Sequence, residues 1–234
     1  MGSVSILVLS LNEVGNIERT VKSILSHLER AKITDWEIIF VDAASTDGTQ
    51  EKIIKYVLAN PEHFKQAPNC RGLGIQFRTG VACASKEYVG WFPADNETVD
   101  ETMKNIFLAL GKADMIVPYT VNVWARTLFR RILSWLYTTF VQLVYSVDLK
   151  YFNGPCFFRR KLLEKIPMTS NGLAYMAEIL VQGHHLGASS AEVEMYIRPR
   201  DYGASSVVTF KNVWPIAATF ARLFWRVRIQ GVSS

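Results

Sequence analysis

The sequence predicts an α/β fold in which helices flank a mostly parallel central sheet. Short, continuous apolar runs at residues 4–9 and 37–41 are typical of strands buried on both faces of a parallel sheet. Between and after these runs, apolar residues recur every three to four positions, as they do in amphipathic helices. With 234 residues, 49% of them hydrophobic and 20% charged, the chain can bury one sizeable core.

The predicted elements alternate along the first half of the chain. The strand at 4–9 precedes a helix with apolar residues at helical spacing from Ile17 to Leu28, and the strand at 37–41 precedes a similar helix around Ile53. A glycine-rich turn, "RGLG" at 71–74, begins a third helix. The next strand, 87–92, should stop at Pro93, because proline has no N–H for strand pairing. This order, continued by a further helix and strand, indicates largely parallel pairing.

Polar side chains follow these strands at the edge where open α/β sheets bind their ligands. Asn12 and Glu13 come just after the first strand, and Asp42 ends the second. A carboxylate at the position of Asp42 can accept hydrogen bonds from a base or a ribose, although an aspartate at a strand end is also a common turn or cap residue. The 71–74 turn can bring backbone N–H groups and the cation of Arg71 to a diphosphate.

The segment "ADNE" places three oxygen-bearing side chains directly after the 87–92 strand: Asp95, Asn96 and Glu97. Two interpretations are open. The oxygens form a metal-assisted active site, or they are an acidic turn that caps the following helix. No histidine pairs with a serine or cysteine at a recognisable catalytic spacing, so nothing in the sequence favours a hydrolase.

Two stretches, 124–147 and 210–229, combine arginine with bulky apolar residues. The uncharged run of the first, 132–147, is shorter than the roughly 20 residues that a membrane-spanning helix needs. One interpretation is a helix buried in the core. The other is a helix that lies in the membrane interface or packs on the second such helix, because Arg126, Arg130 and Arg131 lie beside Trp124 and Trp135 as in an interfacial anchor.

Cysteine content and charge indicate the compartment and the partners. Three cysteines without CxxC spacing argue against a disulfide framework or a zinc site and favour a reducing compartment. The net charge of +5 is modest but clustered. The clusters are either ordinary solvated surface or sites that attract anionic lipid or phosphate, and no nucleic acid partner is expected. We expect a cytoplasmic protein, peripheral on the membrane, with one domain at 1–209 that includes the 124–147 interface helix, and a C-terminal amphipathic helix at 210–234.

Five segments of the chain carry a resemblance to a known family. They are "VSILVLSLNEVGNIERTV", "EIIFVDAASTDGT", "GLGIQFRTGVACASKEYVGWFPADNE", "VDLKYFNGPCFFRRKLLEKI" and "AEILVQGHHLGASSAEVEMYIRPRDYGASS". In this order they resemble the family-2 glycosyltransferases, and within them the dolichol-phosphate mannose synthase-like group. The resemblance implies a GT-A (Rossmann-like) fold. It also implies inverting transfer of a hexose, with mannose and glucose as the first candidates, from a nucleotide sugar to a polyprenyl or dolichyl phosphate. It also implies Mg²⁺ or Mn²⁺ as cofactor.

The resemblance assigns roles to matching positions. Asp95 matches the second acid of the family's D-x-D motif and Glu97 a further metal ligand. Arg130 and Ser134 match an R-x-x-x-S spacing associated with the acceptor phosphate, and Arg200 and Ser205 match an element that closes over the site. The implied catalytic residues are Asp95, Arg130 and Glu178. The implied nucleotide-sugar contacts are Leu9, Ser10, Asn12, Glu13, Asp42, Arg71 and Gly74.

Three positions depart from the family pattern. Pro93 stands at the first acid of D-x-D, Ala43 stands at the second acid of the common "VDDGS", and the arginine usual after the next strand is absent from "VPYTVN". Two alternatives to the lipid-phosphate transferase are therefore kept. One is a glycosyltransferase acting on a sugar or lipid hydroxyl, and the other is a catalytically silent module that binds a nucleotide sugar or a lipid.

Overall fold

The computed structural model describes residues 2–96, 98–197 and 210–230. Its strands are β1 (Val4–Ser10), β2 (Trp36–Asp42), β3 (Phe64–Gln66), β4 (Tyr88–Pro93), β5 (Met115–Thr120), β6 (Phe157–Arg159) and β7 (Ser190–Met195). Its helices are α1 (Ile17–Arg30), α2 (Thr49–Ala59), α3 (Leu73–Cys83), α4 (Asp100–Ala109), α5 (Leu128–Tyr145), α6 (Arg160–Leu163), α7 (Tyr175–His185) and α8 (Phe210–Phe224). A 3₁₀ turn, Val123–Ala125, precedes α5, and a π-helix, Trp225–Gln230, extends α8.

One sheet organises the described residues, with strand order β3-β2-β1-β4-β6-β5-β7. Neighbouring strands are parallel except at β6, which runs antiparallel to both β4 and β5. The register aligns Leu9 of β1 with Val41 of β2 and Pro93 of β4, so these three strands end at the same edge of the sheet. The α/β fold with a mostly parallel sheet is therefore confirmed. The sequence did not predict β3, β6 and β7.

Helices cover both faces of the sheet and create two apolar cores. Because side chains alternate along a strand, Leu7 and Leu9 of β1 face one core while Ile6 and Val8 face the other. Helices α3, α5, α7 and α8 contribute to the first core, and α1, α2 and α4 to the second. Helix α8 packs on the main body of the protein through Phe220 and Leu223, which are buried in the first core.

Helix α5 lies on the surface, and only Val141 and Tyr145 of its residues are buried. The ring of Tyr145 lies 6.0 Å from that of Phe220 in α8, and the Tyr145 hydroxyl donates a 2.7 Å hydrogen bond to the Phe220 carbonyl oxygen. The large apolar side chains of α5 that remain exposed are Leu128, Phe129, Ile132, Leu133, Trp135, Leu136, Phe140 and Leu143. The interpretation of 124–147 as a buried core helix is therefore wrong. The helix packs on α8, and its position at a membrane interface stays a prediction.

No helix in residues 2–96, 98–197 or 210–230 has the length and apolar character needed to cross a bilayer. The π-helix after α8 instead supports α5. Arg228 donates hydrogen bonds to the Val144 carbonyl oxygen, at 3.1 Å from Nη2, and to Ser146 Oγ at 2.6 Å, and so satisfies the last turn of α5. Arg226 donates to the Pro167 carbonyl oxygen at 3.2 Å. Both arginines are therefore engaged by backbone carbonyl groups of the protein itself.

At the opposite end of the sheet, a buried acid joins β2 to its neighbours by hydrogen bonds. Glu37 at the start of β2 is 1% exposed, and its carboxylate accepts hydrogen bonds from Ser5 Oγ at 2.6 Å, from Lys65 Nζ at 2.5 Å and from the Ser85 N–H at 2.7 Å. Burial by itself would raise the pKa of Glu37. The hydrogen bonds from Lys65, Ser5 and Ser85 outweigh burial and hold that pKa below the ordinary value of 4.5.

Glu37→Gln should lower the free energy of unfolding at pH 7 by about 1–3 kcal/mol, because the amide replaces a carboxylate among donors. The pKa of Glu37 is lower in the folded than in the unfolded chain, so this stabilisation is present above pH 4.5 and is lost as the pH falls through the folded-state pKa. Urea unfolding at pH 7 and pH 3.5, followed by tryptophan fluorescence, measures the difference. A gap between variant and wild type that stays equally large at pH 3.5 would contradict the assignment.

Candidate functional site

The loops that follow β1 and β2 are joined by a ladder of hydrogen bonds at the carboxyl edge of the sheet. Three successive backbone N–H groups of the first loop donate to side chains of the second. The N–H of Asn12 donates to Ser45 Oγ at 2.8 Å, that of Glu13 to Thr49 Oγ1 at 2.9 Å, and that of Val14 to Asp47 Oδ2 at 3.0 Å.

Two further features strengthen this ladder. The side chain of Asn12, which has a left-handed φ of 56°, accepts a hydrogen bond from the Thr46 N–H at 3.0 Å. Hydrogen bonds, first of all from the Thr49 side chain, lower the pKa of Asp47, so this carboxylate remains ionised in the ladder. These contacts place Asn12 and Glu13 beside the end of β2, as the sequence predicts.

Asp42 occupies the predicted edge, but it is fully buried. Its Oδ1 accepts from Ser10 Oγ at 2.7 Å and from Ser45 Oγ at 2.6 Å, and its Oδ2 accepts from the Ser45 N–H at 2.7 Å. The side chains of Asp42 and Ser10 bond each other inside the protein, and their contact with the nucleotide stays a prediction. Leu9 is buried as well, and its carbonyl oxygen accepts from the Ala94 N–H at 3.0 Å. Leu9, Ser10 and Asp42 thus support the carboxyl edge of the sheet from inside the protein.

The turn at 71–74 lies next to these loops. Arg71 is exposed and donates from Nε to the Ala43 carbonyl oxygen at 3.1 Å, which holds the side chain over the end of β2. The N–H of Gly74 donates to the Asn171 carbonyl oxygen at 3.1 Å, and a Cβ at Gly74 would lie 2.1 Å from the Ser170 carbonyl oxygen. Close packing therefore requires a glycine at position 74, and its contact with the donor stays a prediction. Arg71 keeps the predicted position.

Asp95 follows β4 at the same edge and is half-buried. Helix α4 begins at Asp100 with Val99 at its N-cap position, so Asp95 is not the N-cap residue of that helix. Glu97 lies outside the described residues. Within the described part of the chain, no three or more His, Cys, Asp or Glu side chains cluster as a ready-made metal site. Asp95 fits a cation that takes one or two protein carboxylates and completes its coordination with substrate phosphate and water, as Mg²⁺ does.

A second concave region, the basic cavity, lies between the end of β5, the 3₁₀ turn, α5 and residues 150–151. Its volume is about 460 Å³. Its lining residues are Tyr119, Thr120, Val123, Arg126, Leu128, Arg131, Ile132, Ser134, Trp135, Thr138, Lys150 and Tyr151. Three of these side chains are cationic and none is acidic, so the basic cavity favours an anionic group.

Aromatic rings and one hydroxyl define the polar part of the basic cavity. Lys150 Nζ lies 4.3 Å from the centroid of the Tyr119 ring, and Arg126 donates to the Tyr151 hydroxyl at 3.2 Å. The Thr120 hydroxyl is buried and has no hydrogen-bond partner among the residues that the structure describes. A buried hydroxyl in this state has a donor and an acceptor to offer to a ligand.

The predicted acceptor residues are only partly brought together. Ser134 lines the basic cavity, but the arginine that lines it beside Ser134 is Arg131, whereas Arg130 is absent from the lining. Arg131 is therefore the arginine of α5 that lines the basic cavity, and the acceptor role of Arg130 stays a prediction. Arg200 and Ser205, predicted to close over the site, lie outside the described residues.

Glu178, in the first turn of α7, is 2% exposed. Its carboxylate accepts hydrogen bonds from the Ser170 N–H at 2.8 Å, from the Thr169 N–H at 3.0 Å and from the Thr169 hydroxyl. All these donors belong to one turn of the chain. The oxygens of Glu178 are turned toward this turn and away from solvent, and its catalytic role stays a prediction.

A comparison with known protein families identifies the family of this chain. The sequence model of glycosyl transferase family 2 matches residues 5–167, which is more than half of the chain. The chain belongs to glycosyl transferase family 2. The prediction of a glycosyltransferase enzyme is therefore confirmed. A comparison with curated protein sequences gives no significant match.

Solved structures similar to this glycosyltransferase include glucosyl-3-phosphoglycerate synthase from Mycobacterium tuberculosis. Its complex with Mn²⁺, UDP and glucosyl-3-phosphoglycerate is 17% identical with a TM-score of 0.66, over 95% of this chain and 80% of that one. Its complex with Mg²⁺ and UDP is 16% identical with a TM-score of 0.69, over 95% and 79%. Its complex with Mn²⁺, UDP-glucose and phosphoglyceric acid is 18% identical with a TM-score of 0.68, over 95% and 80%. These similarities establish the shared GT-A fold.

Sequence reasoning missed several residues that shape the glycosyltransferase site. Ser45, Asp47 and Thr49 lie in the "STDGT" turn, whose composition is typical of residues that hydrogen-bond nearby backbone, so their role had a signal. Lys150 and Thr120 had none. They come from different parts of the chain, and only the packing of the loop at 150–151 against the end of β5 brings them together.

Proposed function

We propose that this glycosyltransferase is an inverting, dolichol-phosphate mannose synthase-like enzyme that transfers a hexose from a nucleotide sugar to a polyprenyl phosphate at a membrane surface. The observation that carries the proposal is the basic cavity, which adjoins the exposed apolar side of α5. A phosphate with a long hydrocarbon tail is the ligand that satisfies both surfaces. The cations suit its head group, and the apolar side chains suit its tail or the lipids around it.

The donor is assigned to the edge formed by the ends of β1, β2 and β4. Asn12, Glu13 and Arg71 present polar groups there, and the ladder between the first two loops fixes their backbone. Asp95, with Glu97 as second ligand by resemblance, would hold Mg²⁺ or Mn²⁺ against the donor diphosphate. When bound, the cation supplies stabilisation of the negative charge on the departing nucleoside diphosphate.

The reaction is a single displacement. An oxygen of the acceptor phosphate forms a bond to the anomeric carbon of the sugar, the bond from that carbon to the diphosphate breaks, and the configuration inverts. A phosphate monoester with a second pKa of about 6 is mostly dianionic at neutral pH, so it needs orientation and no strong base. Arg126, Arg131 and Lys150 would orient it, which agrees with the engagement of the Glu178 carboxylate elsewhere.

The apolar side of α5 supports attachment to the cytoplasmic face of a membrane. Phe129, Ile132, Leu136 and Leu143 recur at intervals of three, four and seven residues, so they lie along one side of the helix, and all are exposed. Arg126 and Arg131 line the basic cavity together with Ile132 of this side, and they would meet anionic head groups there. The combination is typical of a helix that lies in the interface without crossing the bilayer.

The defining experiment measures transfer of labelled sugar from UDP-glucose or GDP-mannose in four reactions that differ in acceptor. These contain undecaprenyl phosphate in vesicles, 3-phosphoglycerate, a simple glycoside with a free hydroxyl, or no acceptor. Label that moves into the organic phase only with the lipid phosphate is the expected result. Transfer to 3-phosphoglycerate or to the glycoside would assign another acceptor class, and donor binding without any transfer would identify a silent module.

Arg131→Ala should raise the KM for undecaprenyl phosphate about tenfold with the donor KM little changed, because a charged hydrogen bond to phosphate is worth about 1.5–3 kcal/mol. Steady-state kinetics with donor and acceptor varied separately measures this. Lys161→Ala, which removes an exposed cation outside the basic cavity, is the control and should leave both KM values unchanged. If the KM for undecaprenyl phosphate rises more in Arg130→Ala than in Arg131→Ala, the acceptor arginine is Arg130, as the resemblance implies.

Asp95→Asn should lower turnover on the order of a hundredfold, since a neutral amide holds a divalent cation poorly. Calorimetric titration of UDP with and without Mn²⁺ should show that the cation tightens UDP binding in the wild type and not in the variant. Asp100→Asn, an exposed acid in the first turn of α4, is the matched control. Full activity of Asp95→Asn, or full wild-type activity in excess EDTA, would contradict the metal assignment.

Leu143→Glu should weaken binding to vesicles about tenfold, because the transfer of a leucine side chain from water into apolar surroundings is worth about 1.5–3 kcal/mol. Flotation with neutral and anionic vesicles at two salt concentrations gives the bound fraction. Leu58→Glu is a close control, since Leu58 of α2 is 77% exposed and Leu143 of α5 is 76% exposed. Equal loss in both variants, or no wild-type binding to any vesicle, would refute attachment through α5.

A further inference from the structure

We propose that Glu178 is a positioning residue for the donor: it holds the turn at residues 168–171, and this turn holds the loop that carries Arg71. The inference rests on the proposed function, because it takes Arg71 as a contact of the nucleotide sugar. It gives a different use to an acid that resemblance assigned to catalysis. Glu178 would touch neither substrate.

The first step is the contact between Glu178 and the turn. Both oxygens of the carboxylate are used by the chain, since Oε2 accepts from the N–H groups of Thr169 and Ser170 at 3.0 and 2.8 Å, and Oε1 accepts from the Thr169 hydroxyl. A carboxylate that accepts from two successive backbone N–H groups fixes the direction of the backbone between them. Here the fixed segment is the turn that leads into α7.

The second step is the contact between the turn and α3. The Asn171 carbonyl oxygen accepts from the Gly74 N–H, and a Cβ at Gly72 would lie 2.8 Å from the same oxygen. Arg78 of α3 donates to the Met168 carbonyl oxygen at 2.9 Å and to Asn171 Oδ1 at 3.2 Å. The turn therefore presses on the first residues of α3, with no space between the two backbones.

The third step is the link from α3 to the site. Arg71 immediately precedes the two glycines, and its Nε donates to the Ala43 carbonyl oxygen at 3.1 Å. The preceding residue, Cys70, donates its N–H to the Asp42 carbonyl oxygen at 3.1 Å. A movement of the turn would shift α3 at Gly72 and Gly74 and would misplace the guanidinium of Arg71 at the end of β2.

The π-helix supports the same turn from the other side. Arg226 donates to the Pro167 carbonyl oxygen at 3.2 Å and to Gln182 Oε1 at 3.3 Å, and it lies 3.9 Å from the Glu178 carboxylate. The Thr219 hydroxyl of α8 is 3.5 Å from Ser170 Oγ. The turn is thus the place where α7, α8 and the loop that carries Arg71 meet, and Glu178 accepts the hydrogen bonds that hold this turn.

The test compares Glu178→Gln, Arg71→Gln and the double variant in a mutant cycle. Gln keeps the size of the side chain but cannot accept from all the donors. We expect each single variant to weaken UDP binding, measured by calorimetry, and to raise the donor KM about tenfold. The acceptor KM and kcat should change little. The double variant should be no worse than the worse single variant, because both changes act through Arg71.

Three results would overturn the inference: a fall in kcat with an unchanged donor KM, which indicates a catalytic group; multiplicative effects in the double variant; or unchanged UDP binding. Glu37→Gln is the matched control, because Glu37 is an equally buried acid with several donors at the other end of the sheet. It should lose stability and keep the donor KM.

Arg78→Gln provides a second route if Glu178→Gln does not fold. It removes the two side-chain hydrogen bonds between α3 and the turn and leaves Glu178 in place, and it should also raise the donor KM selectively; an unchanged donor KM would count against the inference. Wild-type measurements separate this inference from the proposed function. A wild type that neither binds UDP nor transfers sugar overturns both, whereas an active wild type with unaffected Glu178 and Arg78 variants overturns only the positioning role.

Discussion

The carboxylate of Asp42 is the constraint on which the carboxyl edge of the sheet depends. A buried charge is stable only when hydrogen bonds replace the water it has lost, and here the donors are Ser10 at the end of β1 and Ser45 in the loop after β2. Ser45 in turn accepts from the Asn12 N–H, so one acid determines the course of two loops. Asn12 and Glu13, two of the residues proposed to contact the donor, lie in the first of these loops.

Buried acids have a common use in this protein. Glu37, Asp42 and Glu178 each accept from at least one backbone N–H and one side-chain hydroxyl, and each fixes a segment that lacks regular secondary structure. A carboxylate can satisfy the backbone N–H groups of an irregular segment and fix its backbone, as hydrogen bonds between neighbouring strands do in a sheet. In β2 the two acids, Glu37 and Asp42, accordingly lie near the ends of the strand, next to the segments that they fix.

The fold was largely predictable because its strongest signals are local. The apolar runs of β1 and β2, and the helical spacing from Ile17 to Leu28, reflect burial that repeats along the element. The strands β3 and β6 have three residues each, which is too short to show any period. Strand β7 has one buried residue, Met195, so its sequence carries little apolar signal.

The site was predictable in its location and less so in its roles. Parallel strands end together, so Asn12, Glu13 and Asp42 had to meet at one edge. The sequence does not reveal whether an acid there faces a ligand or the protein, because the same carboxylate suits both. Arg130 and Arg131 show the same difficulty at the scale of one residue, since adjacent positions on a helix point about 100° apart and only the packing of α5 decides which one lines the basic cavity.

The support that Arg228 gives to α5 has a consequence for biosynthesis. Arg228 and the Val144 carbonyl oxygen are separated by 84 positions along the chain. At typical rates of translation this distance corresponds to an interval on the order of ten seconds. During that time α5 has left the ribosome without Phe220 to pack on and without a donor for its last turn. Its apolar side chains are then the part of the nascent chain most exposed to aggregation, so a chaperone or a nearby bilayer would have its greatest effect in this interval.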